Sequence, residues 1–424
     1  AKTNQFAEII KNLKLEKQSR VLVRLPNCLH YPIAFLGAMK AGCIAVPTST
    51  LLTATEVIYL AKDSEAAVLV TDHETWKSLE PIAEELTFLK AVFIHQASHD
   101  LSSDYLDVKD LGIEMDKIEV CTPNPATKSD DPAYLVYTSG TTGYPKGVLH
   151  AHRALLGRNP ASKYWFNFSA VHDRILHTGK FNWTYVLGSG LMDPLYLGKT
   201  VIVYEGKNNP NQWVDLIHKH NATIFIAVPT IYRQILQKTQ STKEDVPSLL
   251  HCMSAGEHLS DEVFERWNSR FGLDIYEAVG MSEFSYYISQ SVHRPIRPGS
   301  AGFPQPGHKI KLINPETLEE IKAGEEGMIC VPEDDPGLFL EYWHLPEETA
   351  KYKHNGWFFT GDYARYDSDG YLWFLGRKDD IIKSFGYRVS PYEIERVFKA
   401  HPQVNDCAVI GEVSDDKVLV VVYV

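Results

Sequence analysis

Along the chain, short apolar runs alternate with longer amphipathic stretches. Residues 20–25, 66–71 and 91–95 have the texture of strands. Residues 30–40 and 74–86 have a helical period, with Gly42 just beyond the first of them, and residues 1–12 predict an amphipathic helix. Further strands are expected at 133–137, 200–204, 223–228, 249–254 and 274–278, while the polar stretch 100–131, with Pro123 and Pro125, reads as surface connection. This strand–helix rhythm argues for an α/β protein layered around a largely parallel sheet. From Gly299 onward Gly and Pro become frequent and the strands short (309–313, 327–331, 356–359), which predicts a β-rich, barrel-like subdomain over 299–378. The texture changes again after Asp380. A helix is expected at 391–400, with Ser390 as N-cap and Pro391 at its first position, then strands at 404–410 and 417–424. The chain stops in or just after that strand, which reads as a truncated α+β domain too small to bury its own core well.

Composition narrows the possibilities. A chain of 424 residues suggests two or three domains, and 44% apolar residues support a real core. With 42 Lys and Arg against 54 Asp and Glu, the net charge of −12 counts against a nucleic-acid partner. It leaves room for a small anion in a local basic pocket. The six cysteines (Cys28, Cys43, Cys121, Cys252, Cys330 and Cys407) form no C-x-x-C pair and have no His at metal-ligand spacing. They read as reduced thiols of a cytoplasmic protein. The most hydrophobic long stretch, 33–46, is interrupted by Lys40 and is too short to span a bilayer. Residues 1–12 do not read as a signal peptide.

Three segments carry candidate chemistry. The first follows the strand at 133–137 and reads Tyr137-Thr138-Ser139-Gly140-Thr141-Thr142-Gly143-Tyr144-Pro145-Lys146-Gly147. Its glycines let backbone N–H groups turn inward, its hydroxyls add donors, and Lys146 adds a point charge suited to phosphate. It is not a Walker loop, because Pro145 precedes the lysine and Gly147 stands where a metal-binding Ser or Thr would be. That disfavours a Walker-type kinase. The second comprises two strand ends, Ala255-Gly256-Glu257 and Val279-Gly280-Met281-Ser282-Glu283. Ligands of open α/β sheets gather beyond such ends. Glu283 is a candidate Mg²⁺ ligand, although a lone carboxylate there is also ordinary at a helix start. The third is a hairpin. Asp369-Gly370 suggests a two-residue turn, which sets Asp362 opposite Arg377. This acceptor and donor suit a ribose diol, with a structural cross-strand ion pair as the plain alternative.

Together these blocks, with 356–362 and 376–395, resemble the adenylate-forming superfamily of acyl-CoA synthetases, nonribosomal adenylation domains and luciferases. The likeness is greatest to medium-chain and aromatic acyl-CoA ligases, notably over 379–395. The resemblance implies an N-terminal domain (1–378), a hinge at 379–380 centred on Asp379, and a partial C-terminal lid (381–424). It implies Mg-ATP, a carboxylic acid and CoA as small-molecule partners. The acid would attack the α-phosphorus to give an acyl-adenylate, and a CoA thiolate would then displace AMP.

By the same resemblance, Lys146 and Glu283 act in catalysis, and residues 138–143 hold phosphate. Glu277, Ala278, Val279, Gly280, Met281 and Ser282 line the adenine and acyl-phosphate site, with Gly256 and Glu257 flanking the adenine. Asp362 and Arg377 hold the ribose, while Ser384, Phe385, Gly386 and Arg388 meet CoA after the lid rotates. Trp183, Val279 and Gly280 are expected around the acyl group, although core packing would equally explain Trp183.

Three departures qualify the match. Val279 stands where an aromatic residue often stacks on adenine. Asn182 cannot supply the carboxylate that amino-acid-activating relatives place in this segment. The chain also ends before the family's adenylating lysine, so as given it is expected to adenylate poorly. Two alternatives stand beside the ligase reading: an adenylation domain loading a carrier protein, and a non-catalytic binder of nucleotide or acyl-adenylate. Oligomeric state stays open, a homodimer being one arrangement.

Overall fold

The computed structural model describes residues 1–97, 103–119, 127–138, 145–168, 172–257, 259–384, 387–399, 401, 403–404, 407–414 and 417–424. Two α/β sheets form its larger part. The first has eight strands in the order Glu341–Tyr342, Lys146–Ala151, Pro132–Thr138, Ile44–Pro47, Arg20–Arg24, Ala66–Asp72, Ala91–His95 and Val108–Asp110. From Pro132–Thr138 to Val108–Asp110 the neighbours run parallel, and the other two pairings are antiparallel. Parallel strands are covered on both faces, which is why Val21, Leu22 and Val23 are all buried. Helices Lys2–Asn12 and His30–Lys40 lie so close that a Cβ on Gly37 would stand 2.8 Å from the Phe6 ring.

The second sheet has seven strands, ordered Phe303–Pro304, Ser285–Ser289, Ile275–Met281, His251–Ala255, Ile224–Ile226, Arg174–His177 and Thr200–Ile202. Its last five are parallel. The two sheets share a core in which Phe181, Val186, Leu187 and Leu191 join Phe35, Tyr134 and Val136. The β-rich region is a five-stranded antiparallel sheet, and its strand order has two ends where the sequence suggests a barrel. Its long strand Trp357–Tyr366 takes Gly327–Pro332 on one side. The other side is divided between Lys353–His354 and Leu372–Arg377. Beyond it, Ile382–Ser384 pairs with Tyr387–Val389 and Ala408–Ser414 with Lys417–Tyr423, around the helix Pro391–Lys399. Ser390 caps that helix as expected, its Oγ accepting from Glu393 N at 3.2 Å.

Two expectations fail locally. The helix at 74–86 divides into His73–Leu79 and a 3₁₀ turn Glu80–Leu86, because Pro81 has no N–H and Ile82 leaves the helical region (φ −118°). The stretch 100–131 contains an edge strand, Val108–Asp110, and a short helix, Leu111–Asp116, which buries Leu111 and Met115. Among the described residues no helix is long and apolar enough to cross a membrane.

Candidate active site

The site forms where strands of both sheets end. Pro132–Thr138 and Lys146–Ala151 pair so that Thr138 stands opposite Lys146. The expected phosphate donors Ser139, Gly140, Thr141, Thr142 and Gly143 lie outside the described residues, so only the two flanks of that loop are placed. Lys146 Nζ is 2.6 Å from Glu348 Oε1 and lies 5.7 Å from the centre of the Tyr342 ring. The Tyr342 hydroxyl donates to Glu283 Oε1 at 2.7 Å. Burial and the Glu283 carboxylate hold that phenol well above its usual range, so it stays a donor. Lys146 and Glu283, from different sheets, therefore meet at Tyr342.

Sequence reasoning missed Tyr342 and Glu348. Tyr342 reads as core, and Glu348 reads as an ordinary carboxylate early in the short helix Pro346–Ala350. Only the pairing of Tyr342 with Val148 brings them to Lys146.

The hairpin sets Asp362 opposite Arg377, as expected, but by another route. The turn is not two residues long. Asp367 N donates to Tyr371 O and Gly370 N donates to Asp367 O, each at 3.0 Å, leaving Ser368–Gly370 as a three-residue loop with Gly370 at φ +84°. That slips the register by one residue. A bulge at Leu375 restores it before the open end, where Tyr363 pairs with Gly376 and Ala364 with Phe374. Asp362 is 3% exposed, and its Oδ1 lies 3.7 Å from Arg377 Nη1. Burial pushes its carboxyl up to about 7, Arg377 opposes that shift, and Glu283 and Asp380 add to it. The dependence on Glu283 ties the hairpin electrically to the Lys146–Tyr342 cluster.

A cavity of about 220 Å³ lies alongside, walled by Trp183, Tyr185, Gly256, Gly280, Ser282 and Tyr286 among others. Met281 also lines it. Trp183 is 42% exposed and is not core. Gly280 sits at a bulge where an added Cβ would fall 2.0 Å from the Ser285 carbonyl oxygen, so only glycine fits this close backbone approach. Ser282 is held from the first sheet. The His150 ring, stacked on Tyr134, bonds Ser282 O through Nε2 at 2.8 Å. Burial pushes His150 down to about 3, so the ring is neutral, and a carbonyl partner requires Nε2 to carry the proton. Sequence reasoning missed His150 too.

Other expected residues lie elsewhere. Ala278 is in the core with Trp165 and Phe166. Val279 packs against the cluster of Phe284, Tyr287 and Ile288 and is not on the cavity wall. Glu277 is buried, and its Oε1 accepts from Leu259 N at 3.3 Å. Burial pushes it up to about 8, and its charged neighbours are Arg396 and Asp261. Glu257 accepts from the Thr230 hydroxyl at 2.6 Å and lines a second crevice, which Tyr392, Glu395 and Lys399 of the C-terminal part close. Asp379 lies in the turn after Leu372–Arg377, where Asp380 N and Ile381 N both return to Arg377 O. Ser384 donates its hydroxyl to Val418 O at 2.6 Å. Phe385 and Gly386 lie outside the described residues, and Arg388 is placed by its strand alone.

The donor set fits a magnesium nucleotide. Glu283 offers a hard carboxylate oxygen suited to Mg²⁺. Lys146 would exchange one anionic partner for another were phosphate to replace Glu348. Glu348 keeps Lys351, 2.8 Å away, as its counter-ion.

Comparison with known proteins gives the family of the chain. The family described as AMP-binding enzyme matches residues 1–343. The chain is 32% identical over 411 residues to the uncharacterized acyl–CoA ligase YtcI of Bacillus subtilis, covering 96% of this chain and 75% of that one. It is 31% identical over 409 residues to the benzoate–CoA ligase of Thauera aromatica, with 96% and 75% covered. The crystal structure of the anthranilate CoA ligase AuaEII in complex with anthranoyl-AMP matches with a TM-score of 0.88 and 30% identity, over 99% of this chain and 80% of that one. The chain therefore belongs to the AMP-binding enzyme family, the adenylate-forming group that its motifs resemble.

Proposed function

We propose that this chain is an AMP-forming acyl-CoA synthetase that activates an aromatic or medium-chain carboxylic acid with ATP and passes the acyl group to CoA. The observation that carries the reading is the convergence of Lys146, Glu283 and the Asp362–Arg377 couple beside an aromatic-walled cavity. The acid's carboxylate oxygen attacks the α-phosphorus, the bond to the β-phosphate oxygen breaks, and pyrophosphate leaves. The CoA thiolate then attacks the acyl carbonyl, and AMP departs with the bonding electrons. Little covalent help is needed in the first step, so charge neutralisation and positioning dominate. Lys146 places a cation on the departing phosphates, and Asp362 accepts from the ribose hydroxyls while Arg377 donates to their oxygens. Mg²⁺, when bound at Glu283, neutralises phosphate charge. Trp183, Tyr185 and Tyr286 enclose the acyl group, and the modest cavity suits a compact acid.

The part beyond the turn at Asp379 acts as a lid in this reading. Its helix Pro391–Lys399 rests on the rest of the chain through Arg396 to Asp261 at 3.1 Å and Glu393 to Arg365 at 3.2 Å. Such exposed pairs are worth about 0–1 kcal/mol each, little enough to break in each cycle. Ser384 and Arg388 would reach CoA only after that movement, since the Ser384 hydroxyl is committed to Val418 O here. Cys28, Cys43, Cys252 and Cys330 are free thiols, which supports a reducing, cytoplasmic setting.

A panel of aromatic, short and medium-chain acids, assayed on the full-length gene product, tests the proposal. Carboxylate-dependent pyrophosphate release and CoA-dependent AMP release are expected. Pyrophosphate release without any CoA thioester would reject the ligase in favour of carrier-protein loading.

A further inference from the structure

We propose that Cys28, His30 and His95 form a binding site for a divalent transition-metal ion of the zinc class, separate from the nucleotide crevice. The three residues reach one place from two chain segments. Cys28 follows the strand Arg20–Arg24, His30 opens the helix His30–Lys40, and His95 ends the strand Ala91–His95. Both strands flank Ala66–Asp72 in the first sheet, so the cluster lies beyond the carboxyl ends of parallel strands, where such sheets bind ligands. One ligand atom from each residue lies within 4.8 Å of the other two. Tetrahedral zinc with bonds of about 2.0–2.3 Å sets its ligand atoms about 3.3–3.6 Å apart, so side-chain rotation of about an ångström closes the site.

The chemistry of the set is selective. One thiolate and two imidazoles are borderline-soft ligands that favour zinc over magnesium or calcium. The two rings face each other with centres 4.1 Å apart and planes 30° apart. Among the described residues neither imidazole has a hydrogen-bond partner. The loop is also built in advance. Asn27, 6% exposed, donates through Nδ2 to Gly179 O at 2.8 Å and accepts at Oδ1 from Phe181 N at 2.9 Å. The residue beside Cys28 is thereby fixed to the segment that leads into Trp183. Burial raises the Cys28 thiol above its usual range and outweighs the backbone N–H groups of His30 and Tyr31 that point at its sulfur, so the metal ion itself must displace the thiol proton on binding. Asp72 and Asp110 lie close enough to act on His95 and are held as helix caps, through Thr75 N and Ile113 N at 2.8 Å each. They add negative potential while three protein ligands leave a fourth position for water. Sequence reasoning found no metal spacing because His95 arrives from a separate strand.

Cobalt reports directly on such a site. The metal-free full chain titrated with Co²⁺ alone should take up one equivalent with a thiolate-to-cobalt charge-transfer band and intense visible bands of a tetrahedral ion. One equivalent of Zn²⁺ should abolish both. Cys28→Ser should remove the charge-transfer band, and His95→Gln should weaken cobalt binding by about tenfold or more. Absence of a tetrahedral spectrum in the unaltered chain overturns the proposal, and so does an unchanged charge-transfer band in Cys28→Ser. The readout is spectroscopic, so it stands whatever the outcome of the acid panel.

Discussion

Asp362→Asn should stabilise the fold at alkaline pH while weakening nucleotide affinity. The Asp362 carboxyl is 3% exposed and is pushed from 3.8 up to about 7, chiefly by burial. The folded state thus holds the proton more tightly than the unfolded chain. Stability from this group is present below about pH 4 and is lost as pH rises to about 7. A shift of about three units corresponds to ~4 kcal/mol of lost stability above pH 7. Asparagine keeps the shape and removes the ionisation. Set against that is the loss of the Arg377 contact and the burial of an amide N–H₂, which leaves a net gain of about 1–3 kcal/mol at pH 8. Arg377 is half exposed and can turn to solvent. The gain at pH 8 should exceed the gain at pH 5 by about 2–3 kcal/mol, because at pH 5 the wild-type group is still largely protonated when folded. Urea unfolding at the two pH values measures this difference, and Glu277, buried and pushed up to about 8, contributes equally to both proteins and cancels. A variant no more stable at pH 8, or equally stabilised at both pH values, would refute the buried-charge argument.

Other substitutions probe the remaining parts of the site. Lys146→Ala should lower kcat/KM for ATP by about 10²-fold or more and leave the urea midpoint nearly unchanged, since Glu348 retains Lys351; unaltered ATP kinetics would remove Lys146 from the site. Gly280→Ala should destabilise the protein by about 2 kcal/mol or more, because its Cβ meets the Ser285 carbonyl oxygen at 2.0 Å, and a stable, active variant would contradict that contact. Trp183→Ala should change stability by less than about 1 kcal/mol, given the exposure of the ring, and shift the acid preference toward bulkier acids in the same panel. An unaltered preference would take Trp183 out of the acyl wall.

Much of this was legible from the chain, though not always for the reason first given. The parallel strands read correctly because burial on both faces leaves unbroken apolar runs such as Val21–Val23. The meeting of Asp362 and Arg377 followed from a two-residue turn that does not exist. A three-residue loop shifts the register by one, and the bulge at Leu375 shifts it back. A bulge is set by the twist and packing of the surrounding sheet, which local pattern does not encode. Strand Val108–Asp110 was missed because three residues are too few to show a period, and it exists through pairing with Ala91–His95. Val279 was expected beside the acyl group, but strand alternation turns it to the opposite core, leaving backbone and glycine at the cavity. Tyr342, Glu348 and His150 had no local signal, since each acts across a contact made only in the folded chain.

Titration calorimetry of the full-length chain with AMP, and in parallel with 2′,3′-dideoxy-AMP, addresses the heart of the account. If Asp362 and Arg377 clasp the sugar, AMP binds and loss of the two hydroxyls weakens affinity by about tenfold or more, the cost of hydrogen bonds to charged groups. Asp362→Ala should narrow the difference between the two nucleotides, Arg377 alone remaining to donate to the hydroxyl oxygens. Equal affinity of both nucleotides for the unaltered chain, or no uptake of either, would contradict it.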